Sequence, residues 1–302
     1  MELKKINIIM GPQRSGKTTL LRLLFNAVYA RLNGLDATRD LYDMAYNYLT
    51  GRLKEGSIIL KICNEEKYDY DKRECREPML DLECTGGGEE VSCNVEGESP
   101  FKGVILIPTE FEAFIKYALI PLSEPYETLR TYYLNLLRLG VKQEKQLGVL
   151  DEAFKEVVIK RGRIIEAVDG AEIDISYSSS YVTTLYLLRL ILDKVPDNSL
   201  ILIDNLDSYL HPEAMKKFAL LLWRVAEKNT VVVTTHDLIF EETLIHADNY
   251  AKKYGLDIHA NFDDITLTVL KLWGECIKKD PRTSVIDTYT DVFRDLYPEL
   301  YG

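Results

Sequence analysis

The segment from Gly11 to Thr18 constrains this chain more than any other, because it matches the pattern GxxxxGK[ST] at every defined position. The residues from Leu3 to Met10 come before it and are short and β-branched, which predicts a buried strand. Lys17 to Arg31 follows and has the apolar spacing of a helix. Strand, loop and helix in this order form the context in which the pattern binds phosphate. We therefore predict a nucleoside triphosphate site at this loop.

The residue types of the loop assign a role to each part of that site. Glycines let backbone N–H groups close around phosphate oxygens. The Lys17 ammonium neutralises charge on the β- and γ-phosphates, and the Thr18 hydroxyl coordinates Mg²⁺. No NKxD-type run for reading guanine is present, so we expect ATP with Mg²⁺. The predicted nucleotide-binding residues here are Gly11, Pro12, Gln13, Arg14, Ser15, Gly16, Lys17, Thr18 and Thr19.

A second apolar strand supplies the acidic partner of the loop. Leu200 to Ile203 is apolar and is followed by Asp204. A carboxylate at this point holds Mg²⁺ directly or through water in proteins with a phosphate loop. The predicted metal-binding residues are therefore Thr18 and Asp204.

The run from Leu202 to Pro212, Leu-Ile-Asp-Asn-Leu-Asp-Ser-Tyr-Leu-His-Pro, resembles a pattern of ABC-class P-loop ATPase heads. It is most similar to the stand-alone AAA/SMC-like (OLD-like) branch, and transporter subunits usually carry a different sequence. Ser178, Ser179 and Ser180, before a leucine-rich helix that starts at Tyr181, resemble a degenerate signature motif. Val231 to His236 resembles the strand and switch histidine of the family.

This resemblance implies that ATP is sandwiched in a homodimer, with the serines of one subunit completing the site of the other. The implied catalytic residues are Lys17, Asp204, Asn205 and His236. Asn205 departs from the family, which usually has a glutamate there. An amide orients water but does not take its proton as a carboxylate does. Slow hydrolysis, or replacement by another group such as Asp207, remain the two open interpretations.

Three functional classes follow from these features. In the first, the protein is an ATPase that drives a protein partner or a nucleic-acid process. In the second, it is an ATP-dependent conformational switch with little or no hydrolysis, which Asn205 favours. The third, a transporter motor subunit, is disfavoured by the Leu-His-Pro run. The net charge of −11 argues against a uniformly basic nucleic-acid-binding surface, although it leaves a local basic patch open.

The predicted fold class is α/β, a P-loop NTPase of ABC-ATPase type with a mostly parallel core sheet. Hairpins are predicted at Ser57–Cys63 with Lys67–Tyr70, at Met79–Cys84 with Glu90–Val95, and at Arg163–Ala167 with Ala171–Ile175. We predict one domain, 1–302, with three parts: a phosphate-loop lobe (1–120) with an antiparallel β subdomain, a mostly helical insertion (121–175) and a lobe at 176–302. Helical structure is predicted from about Glu110 to Lys160. The last lobe carries the signature motif, Asp204 and His236. Further helices are predicted at Asp36–Leu53, Pro212–Lys228, Glu241–Tyr254 and Val285–Tyr297.

Two compositional features bear on location and redox state. No stretch is long and apolar enough to cross a membrane, and no signal peptide is visible, so we expect a cytoplasmic protein. Cys63, Cys75, Cys84 and Cys93 cluster without a CxxC pair, which makes a zinc site a minor alternative. Buried thiols and disulfides both remain open for these four cysteines.

Overall fold

A computed structural model describes the larger part of the chain. The described residues are 3–34, 39–48, 55–63, 68–69, 74–75, 77–87, 90–109, 157–160, 163–168, 170–174, 177–179, 195–205, 210–271 and 276–282. Three predicted segments lie outside them: the insertion helices between 110 and 156, the leucine-rich helix from Tyr181, and the last helix.

The centre of the fold is a six-stranded sheet built from apolar, β-branched segments. Its strands are β1 (Ile6–Met10), β7 (Gly103–Ile107), β11 (Ser199–Asp204), β12 (Thr230–Thr235), β13 (Ile265–Leu270) and β14 (Cys276–Lys279), in the spatial order β14-β13-β1-β12-β11-β7. All neighbours pair in parallel except β13 and β14. The predicted mostly parallel sheet is therefore confirmed, with one antiparallel edge strand.

Both faces of this sheet are covered, which explains why its strands are apolar at nearly every position. Successive side chains point to opposite faces, so Ile8 packs into one core cluster and Ile9 into the other. On the first face lie α3 (Pro212–Ala226) and α4 (Leu238–Ile245). On the second lie α1 (Lys17–Asn33), α2 (Arg39–Tyr48) and an antiparallel sheet.

The antiparallel sheet covering the second face consists of β2 (Glu55–Ile62), β5 (Leu80–Gly87) and β6 (Glu90–Gly97), in the order β2-β5-β6. The hairpin predicted around the glycine run is confirmed as β5–β6. The hairpin predicted at Ser57–Cys63 with Lys67–Tyr70 is wrong, because β2 pairs along its length with β5. The short strand β3 (Tyr68–Asp69) pairs instead with β4 (Glu74–Cys75). Strand alternation identifies the buried face of β2 but not its partner.

A second antiparallel sheet joins β8 (Val157–Lys160), β9 (Arg163–Val168) and β10 (Ala171–Asp174), in the order β10-β9-β8. The hairpin predicted at Val168-Asp169-Gly170 is confirmed as β9–β10. Helical structure was predicted as far as Lys160, and this is wrong for Val157–Lys160, which forms the third strand. A run of three β-branched residues before a hairpin packs well as an added strand, so tertiary pairing decides such a segment.

Two disulfides lie in the antiparallel region. One joins Cys63 to Cys75, and the other joins Cys84 to Cys93. Cys84 and Cys93 are directly opposite residues of β5 and β6, which brings their side chains together on the buried face. Of the two interpretations left open for these four cysteines, the structure has the disulfides and not the free thiols. The described residues hold no group of three or more His, Cys, Asp or Glu side chains arranged for a metal.

The helix predicted at Glu241–Tyr254 is in fact divided. Its first part, α4, begins three residues earlier at Leu238, because the Asp237 carboxylate caps it by accepting hydrogen bonds from the backbone N–H groups of Ile239 and Phe240. After His246 the chain turns into α5 (Asp248–Ala251) and a 3₁₀ turn at Lys252–Tyr254. The turn buries Ala247 and Ala251 in the core. Among the described helices, none has the length and apolarity needed to span a membrane.

Candidate functional site

The site forms where four parallel strands end at one edge of the central sheet. The strand β1 leads into Gly11, β11 ends at Asp204, β12 leads into His236 and β7 leads into Thr109. Because the strands are parallel and in register, Met10 lies beside Thr235, and Thr234 beside Asp204. The carboxyl edge of such a sheet is where ligands bind in open α/β folds.

These strand ends surround a cleft of about 300 Å³, which we call the phosphate cleft. Its lining residues are Gln13, Arg14, Ser15, Gly16, Lys17, Thr18, Thr19, Thr109, Asp204, Asn205 and His236. Nearly all the predicted residues of the loop and both predicted metal ligands therefore share one cleft.

The loop is held close to the sheet, and glycine is required at its start. Gly11 is buried with φ +149°, and a Cβ there would overlap the carbonyl oxygen of Leu270. Gly16, with φ +95°, ends the loop and caps α1, so Lys17 is the first helical residue. The Lys17 ammonium donates hydrogen bonds of 2.7 Å to the Gly11 carbonyl and 2.9 Å to the Pro12 carbonyl. The ammonium is thereby placed inside the ring of the loop.

One loop residue has an unfavourable backbone conformation. Arg14 has φ +66°, in the left-handed region that glycine and asparagine adopt more readily. For other L-residues this conformation costs roughly 1–2 kcal/mol. Next to it, the Ser15 hydroxyl is buried and has no hydrogen-bond partner among the described residues. A buried polar oxygen of this kind usually has a ligand or water beside it, which fits a loop shaped to receive phosphate oxygens.

The Asp204 carboxylate is positioned by hydroxyl groups on three different elements. Thr18 Oγ1 donates to Asp204 Oδ2 at 2.8 Å, and Thr234 Oγ1 donates to Asp204 Oδ1 at 2.6 Å. Thr109 Oγ1 lies 3.2 Å from both Asp204 Oδ2 and the Asp204 carbonyl oxygen. Asp204 is 5% exposed. These hydrogen bonds fix the orientation of the carboxylate, with Oδ2 turned toward the start of α1.

The donor set fits Mg²⁺. Hard cations of this size take carboxylate, hydroxyl and phosphate oxygens, and Thr18 Oγ1 and Asp204 Oδ2 converge at the mouth of the loop. Thr109 also joins this group. Local sequence gives no signal for this role of Thr109, because only the tertiary structure brings β7 beside β11.

Thr234 is a site residue that sequence reasoning missed. It is fully buried, and its hydroxyl donates to the Asp204 carboxylate. The Thr234 hydroxyl oxygen in turn accepts a hydrogen bond of 3.1 Å from the backbone N–H of Asn205. The available signal was its place at the end of the strand before His236. That signal does not indicate a contact with Asp204, which is 30 residues away in sequence.

His236 lies at the base of the phosphate cleft beside the lysine. Its Nδ1 is 3.4 Å from Lys17 Nζ. Burial and, after it, the nearby Lys17 ammonium lower the pKa of His236 below 6.5, against smaller opposing effects of a Gly11 backbone hydrogen bond and of Asp204. The lowered pKa favours the neutral imidazole, in which one ring nitrogen donates and the other accepts according to the tautomer.

Asn205 occupies the position after the metal-binding aspartate and lines the phosphate cleft. Its φ is +51°, a left-handed conformation that asparagine tolerates better than glutamate does. Its backbone N–H donates to the Thr234 carbonyl oxygen at 3.1 Å. Asp204 is thus the one carboxylate among the described residues that line the cleft, and the other candidate, Asp207, lies outside the described residues.

The serine cluster is separate from the phosphate cleft of its own chain. Ser178 is 5% exposed and its hydroxyl donates to the Asp174 carbonyl at 3.3 Å, whereas Ser179 is exposed. Ser180 lies outside the described residues. Neither described serine lines the cleft. Their completion of a second subunit's site stays a prediction.

The remaining histidines differ from His236. His211 is exposed and immediately precedes α3. His246 and His259 contact carboxylates of Glu242 and Asp257 on the surface. None of these three histidines is among the residues that line the phosphate cleft.

Comparison with known families gives one match. Residues 181–240 match the model of the family described as "AAA domain, putative AbiEii toxin, Type IV TA system". The matched segment contains Asp204, the Leu-His-Pro run and His236, and does not include the phosphate loop. No curated protein matches the sequence significantly.

Several solved structures resemble the whole fold loosely. The SMC head domain from Thermotoga maritima is 13% identical, with a TM-score of 0.46 over 92% of this chain and 91% of that chain. A Smc head domain bound to the C-terminal domain of ScpA, derived from Pyrococcus furiosus, is 11% identical, with a TM-score of 0.46 over 96% and 92%. An ATP-binding cassette of an ABC transporter, in its ADP conformation, is 13% identical, with a TM-score of 0.39 over 95% and 85%. Likenesses this loose carry no functional assignment.

The matched segment supplies Asp204 and His236, the two site residues that lie at the ends of β11 and β12. The loop from Gly11 to Thr18 supplies the other half, and the two meet at Asp204. The chain therefore joins a P-loop to a segment, residues 181–240, that is similar to the AAA-domain family whose model it matches.

Proposed function

We propose that this protein binds Mg²⁺–ATP in the phosphate cleft and forms an ATP-dependent homodimer that drives or switches a partner. The 2.8 Å hydrogen bond between Thr18 and Asp204 carries the proposal, because it joins the phosphate loop to the acidic strand end at the place where a shared cation fits. Thr18 and Asp204 would hold Mg²⁺ there, and the ion would supply positive charge to offset that of the phosphates.

The residues of the chain divide the remaining work. The loop N–H groups and the amino end of α1 bind phosphate oxygens, and Lys17 neutralises their charge. Asp204, held by Thr234, keeps a fixed orientation toward Thr18. The neutral His236 imidazole, which lies beside the Lys17 ammonium, orients water or a phosphate oxygen there. The partner that would use this cycle is a protein, with nucleic acid as the alternative.

A second candidate function is an ATP-dependent switch with little turnover. Asn205 favours it, since the described lining of the phosphate cleft offers no second carboxylate to accept a proton from attacking water. In this version ATP occupancy sets the dimer state, and nucleotide exchange rather than hydrolysis resets it.

The first experiment measures Mg²⁺–ATP binding by calorimetry for the wild type and for Lys17→Ala. We expect the variant to lose detectable binding while its far-UV circular dichroism is unchanged. Lys228→Ala is the matched control, since the Lys228 side chain is exposed and pairs with the exposed Asp197 carboxylate away from the cleft. Wild-type affinity in Lys17→Ala would contradict the proposed site.

A second experiment separates the two candidates. Sedimentation velocity with and without ATP reports the homodimer, and steady-state phosphate release reports turnover. Dimerisation accompanied by turnover supports the ATPase, and dimerisation without turnover supports the switch. A protein that binds ATP but stays monomeric at all concentrations would refute the sandwich arrangement.

A further inference from the structure

The phosphate loop carries a cation whose side chain the binding pattern does not require. Arg14 occupies one of the unspecified positions of GxxxxGK[ST], where the loop uses backbone N–H groups. Its side chain is exposed, and the residue lines the phosphate cleft together with Lys17. Within the described part of the chain, the Arg14 guanidinium has no hydrogen-bond or ion-pair partner.

The backbone at this residue is better suited to a small side chain. With φ +66°, Arg14 has the conformation that glycine or asparagine adopts with little strain. A long side chain there gains nothing from packing, because it is exposed. Backbone strain of this kind at a ligand-binding loop points to a functional use of the side chain.

The charge balance of the cleft indicates what that use is. Its described lining contains the cations Lys17 and Arg14, a neutral His236 and one carboxylate, Asp204. Lys17 is buried and already donates to two loop carbonyls. An entering triphosphate with its Mg²⁺ would leave negative charge on oxygens that face the open side of the loop. A guanidinium binds such oxygens in a bidentate manner.

We propose, resting on the proposed function, that the Arg14 guanidinium contacts the outer phosphate oxygens of ATP bound in its own chain. Arg14 is therefore a nucleotide-contacting residue in addition to supplying a loop N–H group. The contact favours ATP over ADP, since the terminal phosphate adds the charge that the guanidinium meets at the mouth of the cleft.

The test compares variants that separate charge from backbone conformation. Arg14→Asn removes the cation and suits the left-handed backbone, so it folds. Arg14→Lys keeps a cation but loses the bidentate geometry. Arg31→Gln is the control: it removes an equal charge from the last turn of α1, roughly 20 Å along the helix from the phosphate loop.

Affinities for Mg²⁺–ATP and Mg²⁺–ADP are measured by calorimetry, and the midpoint of thermal unfolding is recorded without nucleotide. We expect Arg14→Asn to weaken ATP binding about tenfold or more, and ADP binding less. Arg14→Lys should fall between it and the wild type, and Arg31→Gln should match the wild type. The melting temperature of Arg14→Asn should equal or exceed that of the wild type, because strain is relieved.

Wild-type ATP affinity in Arg14→Asn would overturn the inference, as would equal losses for ATP and ADP. An effect seen only at concentrations where the protein dimerises would overturn the assignment to the chain's own site. Lys17→Ala, measured in parallel, distinguishes failure of the Arg14 inference from failure of the proposed nucleotide site. If it abolishes binding while Arg14→Asn does not, only the role of Arg14 fails. If Lys17→Ala binds normally, the proposed function itself fails.

Discussion

Thr234 Oγ1 donates a 2.6 Å hydrogen bond to Asp204 Oδ1, which joins the ends of two neighbouring parallel strands. Both residues are buried, so this bond is shielded from water. It leaves Asp204 Oδ2 to face Thr18. The direction of the acidic group in the phosphate cleft is thus set by a strand that carries neither the phosphate loop nor the aspartate.

Replacing Thr234 by valine tests this role. The hydroxyl is lost at nearly constant volume, so a buried carboxylate oxygen loses a donor, which costs roughly 1–3 kcal/mol of stability. We expect chemical denaturation to show that loss, and the Mg²⁺ concentration needed for ATP binding to rise. Thr234→Ser keeps the hydroxyl and should retain near-wild-type Mg²⁺ dependence. Equal Mg²⁺ dependence in all three proteins would contradict a role in orienting Asp204.

Gly11→Ala should destabilise the fold as well as the site. The new Cβ would overlap the Leu270 carbonyl on β13, and the residue has φ +149°. The loop or the strand must move, and overpacking of this kind costs about 1–3 kcal/mol. Thermal unfolding checks the prediction, with Gly170→Ala as a comparison, since a Cβ there meets no atom of the described residues although φ is also positive. A larger loss at Gly170 than at Gly11 would show that backbone strain, not overlap, dominates.

Asn205→Glu should raise the rate of ATP hydrolysis and lower stability. The glutamate brings a carboxylate to the phosphate cleft, where it can accept a proton from water. The same change places glutamate at φ +51°, at a cost of about 1–2 kcal/mol. Phosphate release and the denaturation midpoint measure the two effects. Asn205→Asp tolerates the backbone better and serves as the control for charge alone. An unchanged or lower rate in Asn205→Glu would show that this position does not act on water.

His236 should titrate below pH 6.5 in the free protein, because burial and the Lys17 ammonium disfavour its charged form. Proton NMR of the imidazole against pH measures this pKa. Addition of Mg²⁺–ATP should raise it, since phosphate charge near Lys17 favours the imidazolium. The exposed His259 is the internal control and should not respond to ATP. A fall in the pKa of His236 on ATP binding would place its imidazole away from the phosphates.

Glu241 should make stability depend on pH. It is 1% exposed, and burial together with the neighbouring Glu242 raises its pKa from 4.5 to about 8. Between these values the folded state holds a proton that the unfolded state releases, so stability falls as pH rises from 5 to 8. In denaturation experiments, Glu241→Gln should reduce the dependence of the unfolding free energy on pH. The exposed control Glu227→Gln should leave that dependence unchanged. An unchanged slope in Glu241→Gln would mean that the buried group is not the source.

Local patterns were sufficient for the strands at the centre of the parallel sheet. Apolar β-branched runs predicted β1, β11 and β12, since strands buried on both faces leave no room for polar residues. They were insufficient where partners had to be chosen. The alternation in β2 fits any antiparallel neighbour, and β5 rather than the nearer β3 fills that place. The strand Val157–Lys160 was likewise assigned to a helix, although its partner β9 follows directly in the chain, because a short apolar run without alternation does not distinguish a strand from a helix.

By itself the sequence determined the phosphate loop, because Gly11, Gly16, Lys17 and Thr18 meet conditions that are local: backbone dihedral angles, a helix start and side chains within one turn. It also determined that an aspartate follows a buried strand. Only the tertiary structure decided what surrounds that aspartate, since Thr109 and Thr234 reach it from neighbouring strands. Contacts across a sheet depend on strand order and register, and these follow from packing of the whole domain rather than from any single segment.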